Sequence, residues 1–239
     1  MIQTDRKSLY TPADIPARNR RRVVMMLNSD AVGVILAGIG RMKVVAVHYM
    51  PTTPRGNTEI AAVYRELLKS HRPSQIAMVG LSGGCQFGAN TAMWLPSQKL
   101  PFPAAMGLLT CAGGRIAGDT RITLNGLDPQ LSDFTMFGAM RGRMGGGGAA
   151  PGPGDPQSEV LNAPEVPKGF PPSYLLAGTR DMSLSHTALL HRKLRHAGVE
   201  ADLNVIEGMW HGFNMEPGLP ETRDVTADLA QFLDRHMAR

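Results

Sequence analysis

Three stretches of this chain carry the residue types and spacing for acyl-transfer chemistry. Gly80-Leu81-Ser82-Gly83-Gly84 has the Gly-x-Ser-x-Gly spacing. A serine nucleophile on a tight, strained turn needs glycines on either side of it, because side chains there have no room. Such a turn lifts the Ser82 hydroxyl clear of the backbone, and the next amide, that of Gly83, can donate to an oxyanion. Downstream, Gly178-Thr179-Arg180-Asp181 offers a carboxylate and Gly208-Met209-Trp210-His211-Gly212-Phe213 an imidazole. In that set His211 would take the Ser82 proton, and Asp181 would fix the tautomer and stabilise the imidazolium. Six other histidines compete: His48, His71, His186, His191, His196 and His236. His186, His191 and His196 step by five, a poor metal spacing, and are expected on a partly solvated helix face. Only His211 is flanked by glycines in a loop.

The three stretches converge only if the elements before them end on one edge. Val23–Leu27, Val44–Val47, Ile76–Val79, Ala104–Thr110, Ser173–Ala177 and Leu203–Ile206 read as short buried strands. Between them, Ile60, Val63, Tyr64, Leu67 and Leu68 recur at helical spacing, with Asn57 or Thr58 as the expected N-cap. Further helices are expected over 85–95, over 189–197 with Gly198 as the stop, and from about Thr222, where Val225, Leu229, Phe232 and Leu233 face inward. Alternation of this kind gives an α/β fold, a mostly parallel central sheet with helices on both faces. Ser82, Asp181 and His211 each follow a strand, in the order Ser…Asp…His that such a sheet requires.

With 239 residues, 43% hydrophobic and 19% charged, the chain can bury a core and is not disordered. It divides into a basic N-terminal arm, 1–22, and one α/β domain, 23–239. The arm holds six basic and two acidic side chains, against 19 and 18 in the remainder, so the +5 net charge is no nucleic-acid footprint. No apolar run approaches the roughly 18 residues of a membrane span. The first ten residues lack the apolar core of a signal peptide, and two cysteines, Cys85 and Cys111, are too few for a disulfide framework. The expected compartment is a reducing cytoplasm. An insertion at about 114–170 contains the Gly/Pro-rich stretch 141–157, which suits a lid or mobile segment. Its Gly145–Gly148 run lacks both a preceding strand and a following Gly-Lys-Ser/Thr, so it is no nucleotide cradle.

From Thr11 to the C-terminus the chain resembles the hormone-sensitive-lipase-like α/β-hydrolases, which include bacterial acetylesterases and lactone hydrolases. The resemblance rests on the Gly80–Gly84 elbow, Gly-Thr-Arg-Asp at 178–181 and Glu-Gly-Met-Trp-His-Gly-Phe at 207–213. Pro101-Phe102-Pro103-Ala104-Ala105 and His196-Ala197-Gly198-Val199 add to it. It implies a serine esterase acting on short acyl esters or lactones, with Ser82 as nucleophile, Asp181 as acid and His211 as base. It implies no metal and no organic cofactor, places Cys85 in a helix behind the elbow, and suggests a homodimer through the last helix and final strand.

The sequence also departs from that family. The His-Gly-Gly-Gly loop, which supplies the rest of the family's oxyanion hole after the first core strand, has no counterpart; Val23–Leu27 runs straight into Asn28-Ser29-Asp30. Only 22 residues stand where the family has an N-terminal cap, and Leu81 replaces the elbow's usual acidic residue. Gly83 N–H then remains as oxyanion donor, with the Asn28 amide or the Ser29 hydroxyl as substitutes leaving the same strand end. A catalytically impaired homologue that binds a small molecule or a partner is the alternative reading. A serine peptidase of the same fold ranks below both, and action on long-chain lipids lacks an apolar lid.

Overall fold

The computed structural model describes residues 7–49, 55–112, 116–124, 126–129 and 160–238. Its centre is a seven-stranded sheet of β1 (Lys7–Tyr10), β2 (Val23–Leu27), β3 (Lys43–Val47), β4 (Ile76–Leu81), β5 (Ala105–Leu109), β6 (Ser173–Gly178) and β7 (Ala201–Ile206). The spatial order is β1-β3-β2-β4-β5-β6-β7. β1 is antiparallel to β3, and every other pairing is parallel. All six strands expected from sequence are present. β1 was not expected: part of the basic arm adds an edge strand to the sheet, pairing Ser8 with Ala46 and Leu9 with Val45. Its four residues carry no apolar run, so only tertiary pairing marks it as a strand.

The pleat divides the core in two. Val23, Met25 and Leu27 of β2 point to one face, Val24 and Met26 to the other, and all five are buried. On the first face lie α2 (Arg55–Leu67), α3 (Gly83–Trp94) and α5 (Leu184–His196). Ile60, Val63, Tyr64, Cys85, Phe87, Leu190 and Leu194 fill that layer. On the second face α1 (Asp30–Gly40) packs Val32 and Leu36 with Val225, Leu229, Phe232 and Leu233 of α6 (Pro220–His236). A short helical turn, α4 (Thr120–Thr123), belongs to the inserted region.

The helices depart from expectation at three points. α1 was not foreseen: after Asp30 it has no charged residue and three glycines, so no polar face marks the helical period. Its start is set by Ser29, whose Oγ accepts the Val32 N–H at 3.1 Å. α2 begins at Arg55, which puts Asn57 and Thr58 inside the helix rather than at its cap. The three histidines of α5 do not share one solvated face, because a step of five turns about 140° around a helix. His186 is buried, His191 half-buried and His196 exposed.

Cys85 is fully buried, as expected, but it is disulfide-bonded to Cys111 just beyond β5. The whole Gly/Pro-rich stretch 141–157, with its glycine run 145–148, lies outside the described residues, as do Met50 to Pro54. Among the described residues no helix is long and apolar enough to cross a membrane.

Candidate active site

β6 and β7 end level with one another, two residues beyond the level at which β4 ends. Leu81 pairs with Leu109, and Gly178 pairs with Ile206, so the loops carrying Ser82, Asp181 and His211 leave the same edge. Ser82 takes φ 54° and ψ −119°, a conformation an L-residue rarely adopts and one that costs about 1–3 kcal/mol. The elbow glycines have a direct steric reason. A Cβ on Gly80 would overlap the Gly84 carbonyl, and one on Gly84 would overlap the Leu27 carbonyl of the neighbouring strand. The turn is held by Ser82 N–H donating to Leu109 O at 2.9 Å and Cys85 N–H donating to Ser82 O at 3.0 Å.

The loops after β6 and β7 are bonded to each other before either reaches the serine. Thr179 N–H donates to Ile206 O at 3.0 Å, Arg180 N–H to Met209 O at 2.9 Å and Gly208 N–H to Thr179 Oγ1 at 2.8 Å. Gly178 permits this approach, because a Cβ there would overlap the Met209 carbonyl. The result brings the three residues expected from sequence together. His211 Nε2 lies 2.8 Å from Ser82 Oγ, and His211 Nδ1 lies 3.0 Å from Asp181 Oδ1. A carboxylate only accepts, so the ring proton sits on Nδ1 and Nε2 is left to accept from the serine hydroxyl. Asp181 is fully buried and His211 is 5% exposed. The same Asp181 oxygen also accepts from Ser183 N–H and Ser183 Oγ–H, both at 2.7 Å.

On the oxyanion side, Gly83 opens α3, where backbone N–H groups lack intrahelical partners and carry the positive end of the helix dipole. Asn28 sits at φ 68° directly after β2, and its Nδ2 donates to Leu81 O at 3.3 Å. Its amide therefore lies against the elbow with one further N–H to give. Ser29 Oγ is engaged as the α1 cap. Beside Asn28 a cavity of about 490 Å³ opens at the ends of β2 and β3, lined in part by Ser29, Asp30, His48, Tyr49 and Arg55. Neither Ser82 nor His211 lines it, so it is a neighbour of the triad rather than its cleft.

One residue of the site was missed from sequence. Asp128, from the inserted region, is fully buried beside Asp181 and His211. These three offer the one set of cation-ligand atoms found among the described residues. Both ring nitrogens of His211 are engaged with Ser82 and Asp181, however, which suits proton transfer rather than ligation. No motif flags Asp128, since a lone aspartate before a proline reads as a turn.

Comparison with known proteins agrees with this fold. A family model for the alpha/beta hydrolase fold matches residues 26–215. An esterase of Acinetobacter venetianus is 30% identical over 81 residues, 34% of this chain and 26% of that protein, so the match spans about a quarter of the relative's length. The crystal structure of an esterase superposes with a TM-score of 0.86 at 29% identity, covering 97% of this chain and 75% of that one. An esterase/lipase from an uncultured bacterium (TM-score 0.83, 18% identity, 96% and 80% covered) shares the fold. So does an esterase from the bacterial hormone-sensitive lipase family (TM-score 0.82, 23% identity, 94% and 80% covered). The chain belongs to the alpha/beta hydrolase fold family.

Proposed function

We propose that the chain is a serine carboxylester hydrolase acting on short acyl esters or lactones. The observation that carries this reading is the unbroken hydrogen-bonded line from Ser82 Oγ through the His211 ring to Asp181. Ser82 attacks the ester carbonyl as His211 Nε2 takes its proton, and Asp181 stabilises the imidazolium. Collapse of the tetrahedral intermediate expels the alcohol, protonated by His211, and leaves Ser82 acylated. His211 then deprotonates a water that attacks the acyl-enzyme and releases the acid. Gly83 N–H, with the second N–H of Asn28, is the proposed oxyanion donor pair. These steps call on no metal or organic cofactor. A homodimer through β7 and α6 belongs to the same proposal; β7 is an edge strand among the described residues.

A second reading, a homologue with little turnover, is favoured by one observation: β2 passes directly into the Ser29-capped α1, with no loop between to supply oxyanion donors. Losing one such donor costs about 10²–10³ in rate. Hydrolysis of p-nitrophenyl acetate and butyrate beside Ser82→Ala separates the two. Activity that vanishes in the variant supports the esterase; equal inertness of two folded proteins supports the second. The Cys85–Cys111 disulfide weighs against the cytoplasmic placement expected from sequence, because a reducing cytosol keeps thiols unpaired.

A further inference from the structure

We infer that Asp128 is a positioning residue, a buried carboxylate that sets the acid and the base of the triad relative to each other. The inference rests on the esterase reading above. Asp128 Oδ2 accepts the Met182 N–H at 3.2 Å and the His211 N–H at 3.3 Å. One oxygen therefore holds the residue next to the acid and the backbone of the base itself. One carboxyl oxygen each of Asp128 and Asp181 and a His211 ring nitrogen all lie within 4.8 Å of one another, all in buried side chains.

Burying a second carboxylate beside Asp181 is costly unless its hydrogen bonds repay it, and charge-assisted bonds to backbone N–H are the strong kind. A group fitted only to pack this space would be apolar. The described stretch before it, 116–124, is anchored as well. Ala117 N–H donates to His186 Nδ1 at 3.1 Å, Thr120 N–H to Ser185 Oγ at 3.2 Å and Thr120 Oγ1–H to Met182 O at 3.0 Å, while Thr120 Oγ1 accepts from Ser185 N–H at 2.9 Å. Residues 116–124 thus grip the start of α5, directly behind Asp181, and Asp128 lies at the junction of the two loops. Asp181 and His211 already touch through one side-chain bond. Asp128 adds a backbone tie that does not depend on the proton the imidazole carries, so the loops stay fixed while that proton moves.

The test compares wild type, Asp128→Asn and Asp128→Ala as full chains. A fluorophosphonate counts reactive Ser82, and kcat and KM for p-nitrophenyl acetate are expressed per titrated site, with thermal melts alongside. The alanine variant should lose about 10²-fold in kcat per titrated site with KM little changed, as a misplaced catalytic group does. Asparagine keeps a neutral acceptor oxygen and should lose only about tenfold. A lower melting point and fewer titrated sites, with kcat per site unchanged in both variants, would make Asp128 merely structural and overturn the inference. Equal losses in both variants would also overturn it, since the shared acceptor would then do nothing. If wild type is active and only the Asp128 comparison fails, the esterase reading survives; if wild-type Ser82 is neither acylated nor phosphonylated, both fall.

Discussion

His186 gives a pH dependence of stability that can be worked from the structure. It lies buried on α5, and its Nδ1 accepts the Ala117 N–H at 3.1 Å. A ring nitrogen that accepts must be unprotonated, so the folded chain holds His186 neutral. Burial pushes its pKa down from 6.5 to about 4; the nearby Asp181 charge pulls upward and is outweighed. In the unfolded chain the ring titrates at its ordinary value, so between about pH 6.5 and 4 the unfolded state binds more protons. Stability from this group is therefore complete above the unfolded pKa and lost as pH falls toward the folded one. At pH 5 the loss is about 2 kcal/mol, which in a domain of this size lowers Tm by roughly 4–8 °C. His186→Gln removes the titration and keeps an acceptor for Ala117. Melts of both chains at pH 7.5, 6 and 5, followed by circular dichroism, isolate the effect because the other titrating groups are common to both. The pH 7.5-to-5 drop in Tm should shrink in the variant by that amount. Parallel Tm–pH curves for the two chains would refute the reasoning.

Three further outcomes follow from the site and its supports. Gly178→Ala pushes a methyl group into the Met209 carbonyl and should shift the His211 loop, lowering kcat about 10²-fold with Ser82 slow to label; normal labelling would show that the loop absorbs the methyl group. Asn28→Ala should lower kcat by about 10²–10³ with KM hardly moved if its second N–H serves the oxyanion; an unchanged kcat removes Asn28 from that role. The Cys85–Cys111 bond closes a loop of 26 residues, so replacing both cysteines by serine should cost about 3.5 kcal/mol, seen as a shifted denaturant midpoint. Free thiols in unreduced native protein would contradict the bond.

What the sequence made legible divides along physical lines. The sheet was readable because β2, β4, β5 and β6 are buried on both faces and so are nearly continuous apolar runs. The convergence of Ser82, Asp181 and His211 was readable because the backbone around them demands glycine. Gly80 sits where the backbone of its own turn, and Gly84 and Gly178 where backbone from another segment, leaves no space for a side chain. β1 and α1 were not readable for the opposite reason. One is a strand only through its pairing with β3, and the other hides its helical period among apolar residues and glycines.

The same division explains why Asp128 escaped notice while Asp181 did not. Asp181 stands three residues after the required glycine that ends β6, so its position along the chain implies its position in space. Asp128 reaches the site from an inserted region, and no local rule ties its sequence neighbours to the ends of β6 and β7. Only the fold reveals that its Oδ2 meets the N–H groups of Met182 and His211. The oxyanion side lies between these cases. The sequence shows that the usual loop is missing after β2, and the structure shows what occupies its place: Asn28, at positive φ, with its amide against the elbow carbonyl of Leu81. A shortened loop thus leaves a donor near the serine, and the kcat of Asn28→Ala, set beside that of Asp128→Ala, separates stabilisation of the oxyanion from placement of the base.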